Sequence, residues 1–326
     1  MLFRSDALLL FLSLCYVIFF GIGFVWDAYA SPSTTTMEQG YEGGELYTPY
    51  SLATGGAVTA VGTSTTALFA NVGNLPKSQV YHAEGFAFFS PQARRQIYGG
   101  AISDSLTSAL AGAFGGVWSS LDPSGIDREW VDLRLALAYP LGDSLSVGMA
   151  GKYKRITQRI GCGPFGSSVV SDGAPDSPIL DHFNMDVGAN LSLDSSLFMG
   201  IAGRNLIRYP DTPLSPLIMT AGVGGVIGNL ILEGGGALDF TTWDSTKAQL
   251  GAGGQLTVGQ VFPLRLGYQY HVAQEFHAVS GGVGYRGPSL GLDISVQQTI
   301  AAAFPMTMFG IGLQLFLEST MASSGF

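Results

Sequence analysis

The amino-acid sequence predicts an all-β protein, a transmembrane barrel of about fourteen antiparallel strands. Three observations carry this expectation. From residue 79 onward, stretches of about ten residues alternate apolar with small or polar side chains. Within each stretch the charges fall on one face, and the connections alternate between short and long.

The run from Trp130 to Leu141 shows the alternation well. Val131, Leu133, Leu135, Leu137 and Tyr139 lie on one side, opposite Asp132, Arg134, Ala136 and Ala138. Side chains in a strand have period two, so each apolar set forms a continuous face. The pattern recurs with Phe183, Met185, Val187 and Leu191 opposite Asn184, Asp186 and Asn190, and with Leu264, Leu266, Tyr268 and Tyr270 opposite Arg265 and Gln269. Lys152, Lys154, Arg204, Glu233 and Asp239 also oppose the apolar residues of their own strands. An Arg or Lys on a lipid face at mid-bilayer costs roughly 2–4 kcal/mol, whereas a polar lumen tolerates it. The bilayer therefore accounts for the segregation.

Taken in order, residues 1–30 read as a secretory signal peptide. Arg4 leads, Ala7 to Val25 is apolar, and Ala28-Tyr29-Ala30 forms a small-x-small cleavage site. The apolar run is long enough for an uncleaved anchor, and the cleavage site weighs against that alternative. Residues 31–50 form a polar, acidic arm without periodicity. Residues 51–78 are rich in Gly, Ala, Thr and Val, with a short helix expected near Ser64 to Ala70, capped by Thr63 or Ser64.

The barrel is expected over 79–317, followed by a tail at 318–326. Its strands are expected near 79–90, 95–105, 108–120, 128–141, 144–157, 181–193, 196–207, 215–227, 230–241, 248–258, 262–272, 276–286, 289–299 and 304–317. An even count leaves both ends on the periplasmic side. The inner connections are then all tight, such as Leu141 to Ser144 and Val258 to Val261. The longer ones, Arg159 to Leu180, Leu121 to Arg128 and Pro210 to Pro216, fall outside, as is usual for such barrels. Trp118, Trp130, Tyr139, Phe198, Tyr209, Trp243, Phe262, Phe304 and Phe309 lie near strand ends, where aromatic residues favour the headgroup level.

Composition narrows the function. Of 15 basic and 24 acidic residues, the leader holds Arg4, Asp6 and Asp27, so the mature chain has 14 and 22, a net charge of −8. Nucleic acid is not an expected partner, because its binding needs basic patches. Cys15 lies in the leader and only Cys162 remains, which excludes an internal disulfide and a paired-cysteine metal site. His82, His182, His271 and His277 are scattered, with no Ser or Asp at a triad-like spacing, so no enzyme activity and no cofactor are expected. Asp172, Asp176 and Asp181 are the residues that would suit a hard cation, and a solvated acidic loop explains them better. Among the lumen charges, Asp132, Arg134, Lys152, Lys154, Arg204, Glu233, Asp239 and Arg265 are candidates for ligand contact, with Asp186 and Asp293 as possible pairing partners. A mixed-sign set in a narrow barrel more often forms a stabilising or plug-anchoring network.

One segment carries a family resemblance. Gly55-Gly56-Ala57-Val58-Thr59-Ala60, followed by Ala67-Leu68-Phe69-Ala70-Asn71-Val72-Gly73-Asn74-Leu75, resembles the N-terminal signature of the FadL/PorV-like outer-membrane proteins. Val72, Gly73 and Asn74 depart from the family's Pro-Ala-Gly. Gly203-Arg204-Asn205-Leu206, and Phe262-Pro263-Leu264-Arg265-Leu266-Gly267-Tyr268, are similar to strand and turn phrases of the PorV-like branch. The resemblance implies a fourteen-stranded barrel whose N-terminal segment plugs the lumen, with Gly55, Gly56, Phe69 and Asn71 beside any ligand. In the FadL branch it implies passive uptake of small hydrophobic compounds, often leaving sideways through the wall. In the PorV-like branch it implies binding of secreted or surface protein partners. Outer-membrane lipids are the common expected surroundings.

Overall fold

The computed structural model describes residues 48–121, 128–158, 178–207, 214–243, 245–301 and 306–317. The expected signal peptide, most of the expected acidic arm, Cys162, Asp172, Asp176, Tyr209, Phe304, the expected C-terminal tail and most of the loop 159–180 lie outside these residues.

Fourteen strands form a closed antiparallel barrel, each paired with its neighbours in sequence and the first with the last. They are β1 (Tyr81–Ser90), β2 (Arg95–Asp104), β3 (Ala111–Leu121), β4 (Arg128–Leu141), β5 (Leu145–Gln158), β6 (Pro178–Ser192) and β7 (Leu197–Arg204). The second half comprises β8 (Ile218–Ile227), β9 (Leu230–Asp239), β10 (Lys247–Val258), β11 (Phe262–His271), β12 (Phe276–Arg286), β13 (Leu290–Ala301) and β14 (Thr307–Leu317). Closure pairs Tyr81 with Leu317 and Phe89 with Phe309. In a bilayer that closure is what satisfies the backbone, since lipid offers no partner to an open strand edge.

The expected faces hold. Leu135 is 61% exposed on the outer surface of β4. Its neighbours Asp132, Arg134 and Ala136 are buried inside. Tyr98 and Trp118 stack on the outside with ring centroids 5.8 Å apart. Two aromatics expected at the lipid boundary face inward instead. Trp130 shares the parity of Asp132 and packs with Ile156 and Leu180. Phe198 lies under the Lys77 ammonium, 3.6 Å from its ring centroid.

Strand boundaries differ by three residues at five ends, the starts of β3, β6, β8 and β14 and the end of β7, and two of these have a visible local cause. β3 starts at Ala111 rather than 108, because the Asp104 carboxylate accepts from the Leu106 and Thr107 N–H groups and prolongs the turn. β7 stops at Arg204 rather than 207, because Asn205 turns the chain into a left-handed conformation (φ +59°). Consequently β6 and β7 pair only over Val187–Ser192 and Phe198–Gly203. On its other side β6 pairs with β5 along nearly its whole length, from Pro178 to Leu191.

Residues 48–77 lie inside the barrel. They form a helix α1 (Pro49–Ala53), a helix α2 (Ser64–Phe69) and a 3-10 helix (Val72–Lys77). The sequence points to α2 and not to the other two. Thr48 caps α1 in a reciprocal pair with Ser51, and Pro49 at the first position supplies a preset φ. Thr63 precedes α2 without a side-chain cap, contrary to expectation. Ser64 does not cap it either; its hydroxyl bonds His82 Nδ1 (2.6 Å) and the Ser103 hydroxyl (2.8 Å) on the wall.

Candidate functional site: the plugged lumen

The plug sits on the wall through close backbone approach. Gly55 has φ +63°, and a Cβ there would lie 2.7 Å from the Tyr268 carbonyl oxygen, so only glycine fits. On the wall, a Cβ at Gly253 would overlap the Thr54 carbonyl and one at Gly267 the Gly55 amide. Many lumen-facing glycines are therefore seats for the plug. Gly56 also has positive φ (+76°), with open space beside it.

Polar latches complete the seating. Asn71 is buried and fully engaged, donating to the Thr59 (2.8 Å) and Ala189 (3.0 Å) carbonyls and accepting from the Gly73 N–H. Asn74 adds bonds to the Thr59 and Gly62 carbonyls. Glu233 of β9 accepts from the Ala60 (2.8 Å) and Val61 (2.9 Å) N–H groups. Hydrogen bonds to a charged group contribute about 1.5–3 kcal/mol. Glu233→Gln should therefore accelerate hydrogen exchange at Ala60 and Val61 while leaving exchange in the barrel ladders unchanged.

Lys77 ties the end of the plug to the wall, donating to Asn190 (2.9 Å) and the Ala60 carbonyl (3.3 Å). Desolvation lowers its pKa from 10.5 to about 8, opposed by Glu233. An ammonium whose folded pKa is depressed binds fewer protons in the folded state. Seating of the plug should therefore strengthen as pH rises from about 8 towards 10.5. Lys77→Met should abolish that rise, as read by hydrogen exchange over 60–77 corrected for intrinsic rates.

Two charged groups face the plug. In one, Arg134 Nε donates to Asp132 (2.8 Å), Arg134 Nη1 lies 3.3 Å from Asp186, and Lys152 Nζ lies 2.9 Å from Asp186. The guanidinium also lies over Phe69, 5.6 Å from the ring centroid. Lys154 donates to the Leu214 carbonyl (2.8 Å). In the other, Arg265 bonds Asp293 (2.6 Å) and Gln255 (2.7 Å) and lies under the Tyr50 ring. Burial pushes the Tyr50 phenol up to about 12, against the pull of Arg265, so it stays protonated. Gln314 links Asp293 to Glu84, which accepts from the Thr65 hydroxyl of α2 (2.5 Å).

Of the residues singled out from sequence, Asp132, Arg134, Lys152 and Lys154 come together, with Phe69 against them. Glu233, Asn71 and Gly55 hold the plug. Asp239 stands apart at the end of β9, where it accepts from the Thr241 and Thr242 N–H groups. Arg204 lines a cavity of about 60 Å³ with Gly56, Phe69, Thr220, Glu233 and Gln249. Its Nε is buried without a hydrogen-bond partner. A cavity that takes a benzene ring is roughly 150 Å³, so this one is too small for such a solute as it stands. The sequence reading put Asn190 and Gln314 on the inner face without giving them a role, and it did not single out Glu84, Asn74 or Gln255.

No protein-family model and no curated protein matches the sequence. Solved structures do match it. The Ralstonia pickettii toluene transporter TbuX is 12% identical, with a TM-score of 0.59 over 84% of this chain and 99% of that one. A Pseudomonas aeruginosa FadL homologue is 11% identical, with a TM-score of 0.59 over 81% and 97%. The P. putida toluene transporter TodX is 10% identical, with a TM-score of 0.58 over 83% and 98%. The chain thus has the fold of the FadL-like outer-membrane barrels, with fourteen strands and an internal N-terminal plug.

Proposed function

We propose that this protein resides in the outer membrane of a Gram-negative-type bacterium and passively takes up small hydrophobic molecules. The observation that carries the reading is the plug, seated inside a closed barrel whose fold is shared with toluene transporters. Because the cavity beside Arg204 is small, passage requires the plug or the wall to move. The short β6–β7 ladder ends one residue before Arg204, which lines that cavity, and it supports a sideways route, since few ladder bonds would have to part there.

Proteoliposomes test the reading. With the full chain, a monoaromatic hydrocarbon should enter faster than into protein-free vesicles of the same lipid, and deletion of residues 51–77 should change that rate. Equal entry in all three preparations would sink the proposal. The alternative of a barrel that binds secreted or surface protein partners gains nothing from the observed geometry, and the structural relatives above are described as transporters or a FadL homologue.

A further inference from the structure

Arg204 differs from the other lumen cations described above. Arg134, Lys152 and Arg265 each pair with a carboxylate, Lys77 and Lys154 donate to oxygen atoms, and Arg95 and Arg128 are engaged as well. Arg204 has no ion pair with a carboxylate of the described residues, and its Nε is buried without a hydrogen-bond partner. A guanidinium cannot relieve this by losing its proton. A buried charge without a counter-charge is strongly unfavourable, so the position calls for an anion.

The carboxylates on the neighbouring wall are committed elsewhere. Asp239 stands at the level of Arg204, since both are in register with Ile218, and it is held by the Thr241 and Thr242 N–H groups. Glu233 lines the same cavity but enters it opposite Gly224, roughly 20 Å of strand further along β8 than Ile218. Both of its oxygens accept from the plug.

The cavity itself is built between plug and wall, with Gly56, Thr59 and Thr66 on one side and Arg204, Thr220 and Gln249 on the other. Its volume of about 60 Å³ has room for roughly four to six water-sized groups. That is the size of a small planar oxyanion such as nitrate, formate or bicarbonate. The edge of a guanidinium that carries Nε offers two parallel N–H donors, which match two oxygens of such an ion. Thr66 can accept from the Thr48 hydroxyl (2.9 Å) and still donate to a third oxygen.

We propose that this cavity is a site for one small free oxyanion, held by Arg204 of the wall and by threonine hydroxyls of the plug. Bound there, the ion supplies the missing counter-charge and ties α2 and the Gly56–Thr59 turn to β7. It mirrors the Glu233 latch, in which a wall carboxylate holds plug N–H groups. The inference does not rest on solute uptake, because its readout is the seating of the plug.

The test follows hydrogen exchange over residues 56–70 of the full chain in mild detergent. The probe is sodium nitrate, replacing sodium gluconate at constant ionic strength, because gluconate is too large for the cavity. A ligand held only by the seated plug slows its opening about elevenfold at ten times its dissociation constant. Nitrate should therefore slow exchange saturably in the native protein, leave the barrel ladders unchanged, and have no effect on Arg204→Met. No slowing in the native protein would overturn the proposal and leave the cavity to water. Equal slowing in Arg204→Met would overturn it too, as a general salt effect. Benzoate carries the same planar group on a ring the cavity cannot hold, so it should protect far less than nitrate. Equal protection by benzoate would assign the guanidinium to the head group of a larger solute and overturn the free ion as occupant. If Arg204→Met fails to fold, shown by the absence of the heat-dependent gel shift of a folded barrel, Ala237→Leu decides in its place. It fills the cavity while keeping the guanidinium, and should likewise ignore nitrate; slowing equal to the native protein's would overturn the proposal.

Discussion

Gly253→Val is expected to unseat the plug and open the barrel to solutes while the fourteen-stranded wall stays intact. The new side chain would enter the space of the Thr54 carbonyl, an atom of a backbone whose geometry is already pinned at Gly55. Overpacking of this kind costs about 1–3 kcal/mol when side chains have to yield. Here backbone must yield on both sides, so the smaller and less connected body, the plug, moves. Adding Gly267→Val, which meets the Gly55 amide, should complete the displacement. Gly234→Val is the matched control, because its Cβ would point outwards from the same part of the wall with nothing within 4 Å. Conductance in planar bilayers should rise for the first two variants and stay at the native level for the control. A rise in all three, or in none, would refute the seating model.

Asp186→Asn is expected to produce the largest loss of stability. That carboxylate accepts from Lys152, Arg134 and the Asn205 N–H (2.8 Å), so it joins β4, β5 and the turn after β7. Neutralising it leaves the buried Lys152 ammonium without its ion-pair partner, a change that costs about 3–5 kcal/mol. Heat-dependent gel mobility should show unfolding at a clearly lower temperature. Adding Lys152→Met removes the stranded charge and should recover part of the loss, since a buried pair is often replaceable by apolar residues. A single variant as stable as the native protein would show that the cluster is solvated rather than structural.

How much of this was legible in the sequence depends on what each strand faces. β4 reads cleanly because lipid lies on one side and the Asp132–Arg134 cluster on the other. β1 was located to within two residues, but its two faces were not told apart, and Glu84 was missed with them. Phe86 and Phe88 share the inward face of Glu84 and pack in the same apolar cluster as Phe69 of the plug. With apolar residues on both faces the contrast at period two fades. Helix α1 is too short for any periodicity, and only the Thr48-Pro49 and Ser51 capping pattern could have marked it. The abundance of glycine suggested small lumen positions. Which glycines serve as seats depends on where the plug backbone runs, and Gly253 and Thr54 are far apart in sequence. Arg204 could be placed inside by parity, but parity does not foresee that its Nε is buried without a hydrogen-bond partner.

That bend also determines how the wall shares load. A ring of equal ladders distributes strain evenly and must break everywhere at once. With β6 and β7 joined over less than half the length of β6, this ring has a clasp. Thermal or lateral force will concentrate there, on one short joint and on the bonds at its edge, where Asp186, Met185 and Asn184 accept from the Asn205, Leu206 and Ile207 N–H groups. Asp186 is thus shared between the charge network inside the lumen and the fastening of the wall, and a disturbance in either is felt by the other.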